Sequence, residues 1–356
     1  MPLRIAINGY GRIGRCFLRA LHESAHRARY RVVAINEPAD LASIEYLTRF
    51  DSTHGRFPGT VEADATQLRI DGEAIAISHA DCPEDVDWAA LDIDVLVECS
   101  GRYSSRAELQ RFIDAGCPRV LLSQPGNSAE DVDATVVYGI NHAALDGRER
   151  LVSNASCTTN AVVPVLAVLD RHFGVDHALL TTLHSVMNDQ PLIDGYHHTD
   201  LRRTRSAMQS IIPVATGLAR GVERLLPQLA GRVQAKAIRV PTLNVSAIEL
   251  TLTLRQPVSR AALNACLAEA ARAGLPGLLA YTEREHASVD FNHDPHSAVI
   301  DGGQTRVSGD ALASVLLWFD NEWGFASRMV DVLHHWHQHW PDPASQSLDP
   351  VQERLK

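Results

Sequence analysis

Apolar and polar positions divide this chain into two stretches with different rhythms. From Leu3 to Tyr138, short apolar runs alternate with helical patterns. Leu3 to Asn8 reads as a strand, Arg15 to Leu21 as a helix and Tyr30 to Asn36 as a second strand; Asp94 to Cys99, a helix over Ser105 to Ala115, Arg119 to Ser123 and Ala134 to Tyr138 continue the series. Such alternation predicts α/β architecture with a doubly wound parallel sheet, whose ligand crevice lies at the carboxyl ends of the strands. A buried helix is predicted over Ala161 to Leu169, and beyond it the rhythm becomes β-rich. Ala178 to Leu183, Ala237 to Val240 and Val245 to Leu254 read as strands, the last alternating almost perfectly, as a half-buried strand of a mostly antiparallel sheet does. The chain therefore divides into a first domain over 1–156 and an α+β second domain over 157–321. Between its strands, Met187 to Ser210 lacks periodicity and reads as a long functional loop. Helices are predicted over Ala261 to Ala273 and from about Phe325 to Trp340, followed by a tail expected to fray.

Composition removes several classes of function. With 356 residues, 45% hydrophobic and 21% charged, the chain is long enough for two domains with cores of their own. A net charge of -10 without a Lys/Arg-rich block argues against nucleic acid as a partner. The six cysteines (Cys16, Cys82, Cys99, Cys117, Cys157, Cys266) are scattered and form no CxxC pair, which suits reduced thiols better than disulfides or a zinc site. Without a leader-like start or a membrane-length apolar run, a cytoplasmic protein without membrane partners is expected.

Three stretches carry chemistry. Gly9-Tyr10-Gly11-Arg12-Ile13-Gly14 is a G-x-G-x-x-G placed between a strand and a helix, where glycines allow a tight turn and close approach of a pyrophosphate to free helix N–H groups. Glu37, at the end of the second strand, can accept bonds from ribose hydroxyls and would repel a 2′-phosphate, so NAD is the expected cofactor of a Rossmann domain. Ser100-Gly101 and Ser123-Gln124 fall at strand ends as candidate cofactor contacts or plain turns. Ser153-Asn154-Ala155-Ser156-Cys157-Thr158-Thr159-Asn160 sets one cysteine among small polar residues at a helix start, where a thiolate is favoured and nucleophilic. The plain alternative is a buried structural cysteine, against which the polar neighbours argue. A nucleophilic thiol needs a base, and His184, ending the strand over Leu179 to Leu183, is the candidate; alone it would read as a solvent-facing strand end.

An NAD site and an activated cysteine in one chain suggest aldehyde oxidation through a thioester. Arg202, Arg203, Arg205 and Arg239, with Ser156, Thr158, Thr159, Thr216 and Gly217, would suit a phosphorylated substrate. The short His293, Asp294, His296 group reads as a turn and the His334 to His339 cluster as a helix C-terminus, so no metal site is assigned.

Ile7 to Arg15, Ser153 to Asn160 and Asp320-Asn321-Glu322-Trp323-Gly324-Phe325 resemble the signatures of the glyceraldehyde-3-phosphate dehydrogenase superfamily, over nearly the whole chain. That resemblance implies Cys157 as nucleophile and His184 as its base. It also implies NAD contacts from Arg12, Ile13 and Asn321, substrate phosphate held by Arg239 with Thr216 and Gly217, a closing helix over 322–341 packed back on the first domain, and a homotetramer. Within the superfamily the chain departs from the glycolytic pattern, which has threonines shortly after the histidine. Here Met187 and Asp189 stand instead, and a carboxylate repels phosphate. Tyr196 to Arg205 and Asp290 to Ser297 resemble the D-erythrose-4-phosphate dehydrogenase branch, which makes 4-phosphoerythronate for vitamin B6 biosynthesis with water as acyl acceptor. In that likeness Arg202 shares the phosphate recognition. The alternative is a phosphorylating glyceraldehyde-3-phosphate dehydrogenase. Glu37 replaces a common aspartate, and Ser78 to Glu84 lacks the arginine expected near the adenine.

Overall fold

The computed structural model describes residues 2–64, 66–197 and 199–341. His198, within one of the family-like stretches, and the tail expected to fray lie outside them. In the first domain β1 (Leu3–Asn8) leads through the glycine turn into α1 (Arg12–Glu23), then β2 (Tyr30–Asn36) and α2 (Leu41–Arg49). Two-residue strands β3 (Phe50–Asp51) and β4 (Gly55–Arg56) precede the antiparallel extension β5 (Val61–Ala63), β6 (Gln67–Ile70) and β7 (Glu73–Ser78). The chain then returns through β8 (Val95–Glu98), α3 (Arg106–Asp114), β9 (Val120–Leu122), β10 (Ala134–Thr135) and β11 (Leu151–Ser153). Strand order is β10-β11-β9-β8-β1-β2-β7-β6-β5, parallel from β10 through β7. The order reverses direction on either side of β1, so the crevice of a doubly wound sheet opens beside the glycine turn.

The second domain starts with α4 (Cys157–Phe173) and β12 (Val175–His184). It continues through β13 (Ile212–Val214), α5 (Leu218–Leu225), β14 (Val233–Arg239), β15 (Ser246–Leu254), α6 (Arg260–Glu269), β16 (Leu279–Thr282), β17 (Ala298–Ser308) and β18 (Leu312–Phe319). The sheet order is β13-β14-β12-β15-β18-β17-β16, antiparallel except for β12/β14 and β16/β17. On β15, Ile248, Leu250, Leu252 and Leu254 are buried, and they share one core with Ala161, Val162, Val165, Leu166 and Leu169 of α4. The closing helix α7 (Trp323–Gln338) crosses back to the first domain. Met329, Val330, Leu333 and Trp336 join Ile5, Phe17 and Leu21 in its core. No described helix is long and apolar enough to cross a membrane.

Candidate active site

At the glycine turn the backbone explains each glycine. Gly9 has φ +82°, and a Cβ there would sit 2.4 Å from the Ser100 backbone; at Gly14 it would sit 2.3 Å from the Gly9 carbonyl. At Gly11 it would meet nothing within 4 Å. Gly9 and Gly14 thus allow close packing of the loops, while Gly11 faces open space at the start of α1, where a pyrophosphate can approach the Arg12 and Ile13 N–H groups. The Arg12 side chain is engaged elsewhere, by Glu322 and Asp51, so only its backbone faces a cofactor. Glu37 Oε2 accepts from the Tyr10 N–H at 2.7 Å, closing the turn, and Glu37 lines the adjoining cleft of about 370 Å³ with Ser100 and Tyr103. Arg102 lines it too, its Nη1 3.5 Å from the Asp81 carbonyl. Beneath lies Glu98, fully buried and pushed up to about 7 by burial, against the pull of hydrogen bonds from Ser100 and Asn8. Ser123 follows β9 with its N–H on the Glu98 carbonyl at 2.9 Å. This cradle fits NAD.

The cysteine sits at the other end of the crevice on a strained turn. Ala155 has φ +55°, uncommon for a residue with a Cβ. Asn160 Nδ2 holds the turn by donating to the Asn154 carbonyl at 2.8 Å and the Ser156 carbonyl at 3.0 Å, and Ser153 Oγ accepts from the Ala155 N–H at 3.0 Å. Ser156 then caps α4 by accepting from the Thr159 N–H, which makes Cys157 the first helical residue. The octet signalled a nucleophile but not this bracing role for Asn160. Asn160→Ala is expected to lower stability by about 2 kcal/mol, since two bonds to buried carbonyls are lost, and to lower turnover more than NAD affinity. Thermal unfolding and steady-state kinetics measure both.

Cys157 Sγ lies 3.8 Å from His184 Nε2, with β12 carrying the imidazole to the start of α4. His184 is buried; Cys157 is half-buried. Burial pushes the thiol up to about 11, opposed by the Thr158 N–H and the Arg239 guanidinium. Burial, then Arg239, pull the imidazole down to about 4. Removal from water thus works on both groups against an ion pair, and at the sulfur it opposes the thiolate that the helix start favours. His184 Nδ1 is 2.8 Å both from the Ser185 carbonyl and from Arg239 Nη1. It can donate to the first or accept from the second, not both. With Arg239 on Nδ1, the proton sits on Nε2, facing the sulfur.

The substrate groups divide into two sets. Ser156, Thr158, Thr159, Thr216 and Gly217 line a cleft of about 470 Å³, and Arg239 does not line it. β14 ends Arg239 against His184, while Thr216 and Gly217 lead into α5. Asp189, expected to repel phosphate, has its charge met by Arg203 Nη1 at 3.0 Å. Arg202 is exposed on the long loop, with its N–H on Asp200. Asn321 Oδ1 accepts from Ser185 Oγ at 3.0 Å and Ser246 Oγ at 2.8 Å.

The remaining histidines have structural surroundings. His293 stacks on Trp323 at 3.6 Å, and His296 bonds Asp294 within the turn. On α7, His334 meets the Tyr30 hydroxyl at 2.7 Å and stacks on His26. Cys16, His54 and Glu322 bring possible ligand atoms within 4.8 Å of one another, but Glu322 is already held by Arg12 and His54.

Two family models match the chain. The one described as glyceraldehyde 3-phosphate dehydrogenase, NAD binding domain covers residues 3–106, and the one described as glyceraldehyde 3-phosphate dehydrogenase, C-terminal domain covers residues 156–321. The first takes in the glycine cradle and Glu37; the second begins one residue before the cysteine and ends on Asn321. With a doubly wound cofactor domain feeding a cysteine and histidine on a second, mostly antiparallel sheet, the chain belongs to the glyceraldehyde 3-phosphate dehydrogenase family and is an NAD-dependent oxidoreductase.

Proposed function

We propose that the protein oxidises D-erythrose 4-phosphate to 4-phospho-D-erythronate, with water taking the acyl group, as a step toward pyridoxal phosphate. The observation that carries the substrate reading is the segment after His184. Met187 and Asp189 stand there in place of hydroxyl donors, and Asp189 is tied to Arg203, so a substrate phosphate on this side is left to arginines that can meet a longer chain. Substrate phosphate would draw Arg239 from His184 Nδ1. The imidazole proton then goes to Nδ1, donated to the Ser185 carbonyl, and Nε2 becomes free to take the Cys157 proton. The sulfur adds to the aldehyde carbon as the imidazolium gives that proton to the aldehyde oxygen, forming a thiohemiacetal. Nε2 takes the hydroxyl proton back as the carbon gives up its hydride, then releases it to solvent. NAD, when bound, supplies the hydride acceptor. His184 then activates water, whose oxygen adds to the thioester as the carbon–sulfur bond breaks and the proton returns to sulfur.

The long loop exposes Leu192, Ile193, Tyr196 and Leu201, an apolar set that suits the homotetramer of the family resemblance. Steady-state rates with both sugars, with and without inorganic phosphate, test the reading. Erythrose 4-phosphate is expected to give a kcat/KM at least about tenfold above that of glyceraldehyde 3-phosphate, independent of added phosphate. A higher value for the triose with phosphate would favour the phosphorylating dehydrogenase, for which the hydroxyl-lined cleft is the supporting observation.

A further inference from the structure

We propose that the cleft beside Cys157 contains a second anion subsite, formed by Arg220 and Arg224 beyond the hydroxyl cradle, which fits it to a ligand carrying two phosphoryl groups. Its volume of about 470 Å³ is that of a site for a whole small molecule rather than for one tetrahedral oxyanion. The inner end consists of Ser156, Thr158 and Thr216. The outer wall is α5, whose two arginines, four residues apart, project from one helix face.

The Arg220 guanidinium lies by the cradle itself, since a Cβ built on Gly217 would be 3.7 Å from its Nη2. Arg224 reaches toward the opposite wall, with Nη1 3.5 Å from Thr135 Oγ1. Among the described residues, no carboxylate lines this cleft. Among the described residues neither arginine forms an ion pair, whereas Arg203 and Arg205 on the long loop pair with Asp189 and Asp194. In a chain of net charge -10 this is a local reversal of sign. A guanidinium offers a rigid fork of donors matched to phosphoryl oxygens. One oxyanion in the inner cradle leaves the outer fork empty; two linked phosphoryl groups satisfy both ends. The oxidation above makes no use of the outer pair, so the subsite stands or falls separately from the choice of sugar.

Calorimetry on the NAD-loaded protein, with inorganic pyrophosphate and orthophosphate as probes at equal ionic strength, reads the subsite without turnover. Pyrophosphate is expected to bind about tenfold more tightly than orthophosphate. Replacing both residues (Arg220→Ala with Arg224→Ala) should erase that preference, with orthophosphate affinity falling less than pyrophosphate affinity because only Arg220 lies by the cradle. Equal affinity of the two probes for the unaltered protein, or a preference that survives the double substitution, overturns the proposal. Should the double variant fail to fold, Arg220→Lys with Arg224→Lys carries the same test, since lysine keeps the charge and loses the fork. A preference reduced by at least about threefold supports the subsite, and an unchanged one overturns it.

Discussion

Cys157→Ser is expected to turn over at least about four orders of magnitude more slowly than the unaltered protein. A serine hydroxyl at the start of α4 keeps the cap and the helix but not the chemistry, because its proton is held far more tightly than a thiol's. An alkoxide is also a far poorer leaving group than a thiolate, so an acyl group held on serine would pass to water only slowly. His184→Asn should cost less, about two to three orders of magnitude, since the sulfur remains and can ionise unaided at higher pH. Mass spectrometry after incubation with NAD and erythrose 4-phosphate should find the acyl adduct on Cys157 in the His184 variant and none in the serine variant. An adduct on any other cysteine would remove Cys157 from the mechanism.

Arg12→Met is expected to destabilise the fold by about 3 kcal/mol, because it leaves Asp51 and Glu322 facing one another with their shared cation gone. Arg12 binds both, Asp51 and Glu322 are almost withdrawn from solvent, and the three join α1, the loop after β3 and the start of α7. Desolvation would raise both carboxyls, yet the Arg12 hydrogen bonds, with further bonds from the His54 and Thr53 N–H groups to Asp51 and from the His54 ring to Glu322, hold both below their ordinary range. Their contribution is complete above the unfolded carboxylate range and is lost as pH falls through the depressed folded values. Melting temperatures of the two proteins should therefore differ most near pH 7 and converge below about pH 4. A constant difference across that range would assign the loss to packing.

Much of the first domain could be read from the sequence because its signals are local. A strand, three spaced glycines and a helix follow one another without a break, and Leu3–Asn8 and Arg12–Glu23 form where the pattern puts them. The half-buried β15 and the helices over Arg106–Asp114 and Trp323–Gln338 were legible from periodicity for the same reason. β17 was not, since Gly302-Gly303 interrupts its alternation. The structure gives the reason for the pair: a Cβ on Gly302 would overlap the Tyr281 hydroxyl at 2.0 Å, and the register with β18 shifts between Asp301 and Arg306. At the site, residue types announced Cys157 and His184 as candidates. Their ionisation did not follow from type, because it depends on burial and on Arg239, fifty-five residues from His184 in the chain. The pairing of Arg203 with Asp189 and the bracing of Ala155 by Asn160 likewise depend on three-dimensional neighbours.

The contact of Arg239 with His184 bears on how the protein fares between turnovers. Peroxides attack sulfur through its anion, and an idle site whose imidazole cannot take the proton keeps that anion scarce. Arg239 pulls both ways on that anion, lowering the imidazole that would take the proton and lowering the thiol as well, so withdrawal from water is what guards the sulfur from sulfenic acid.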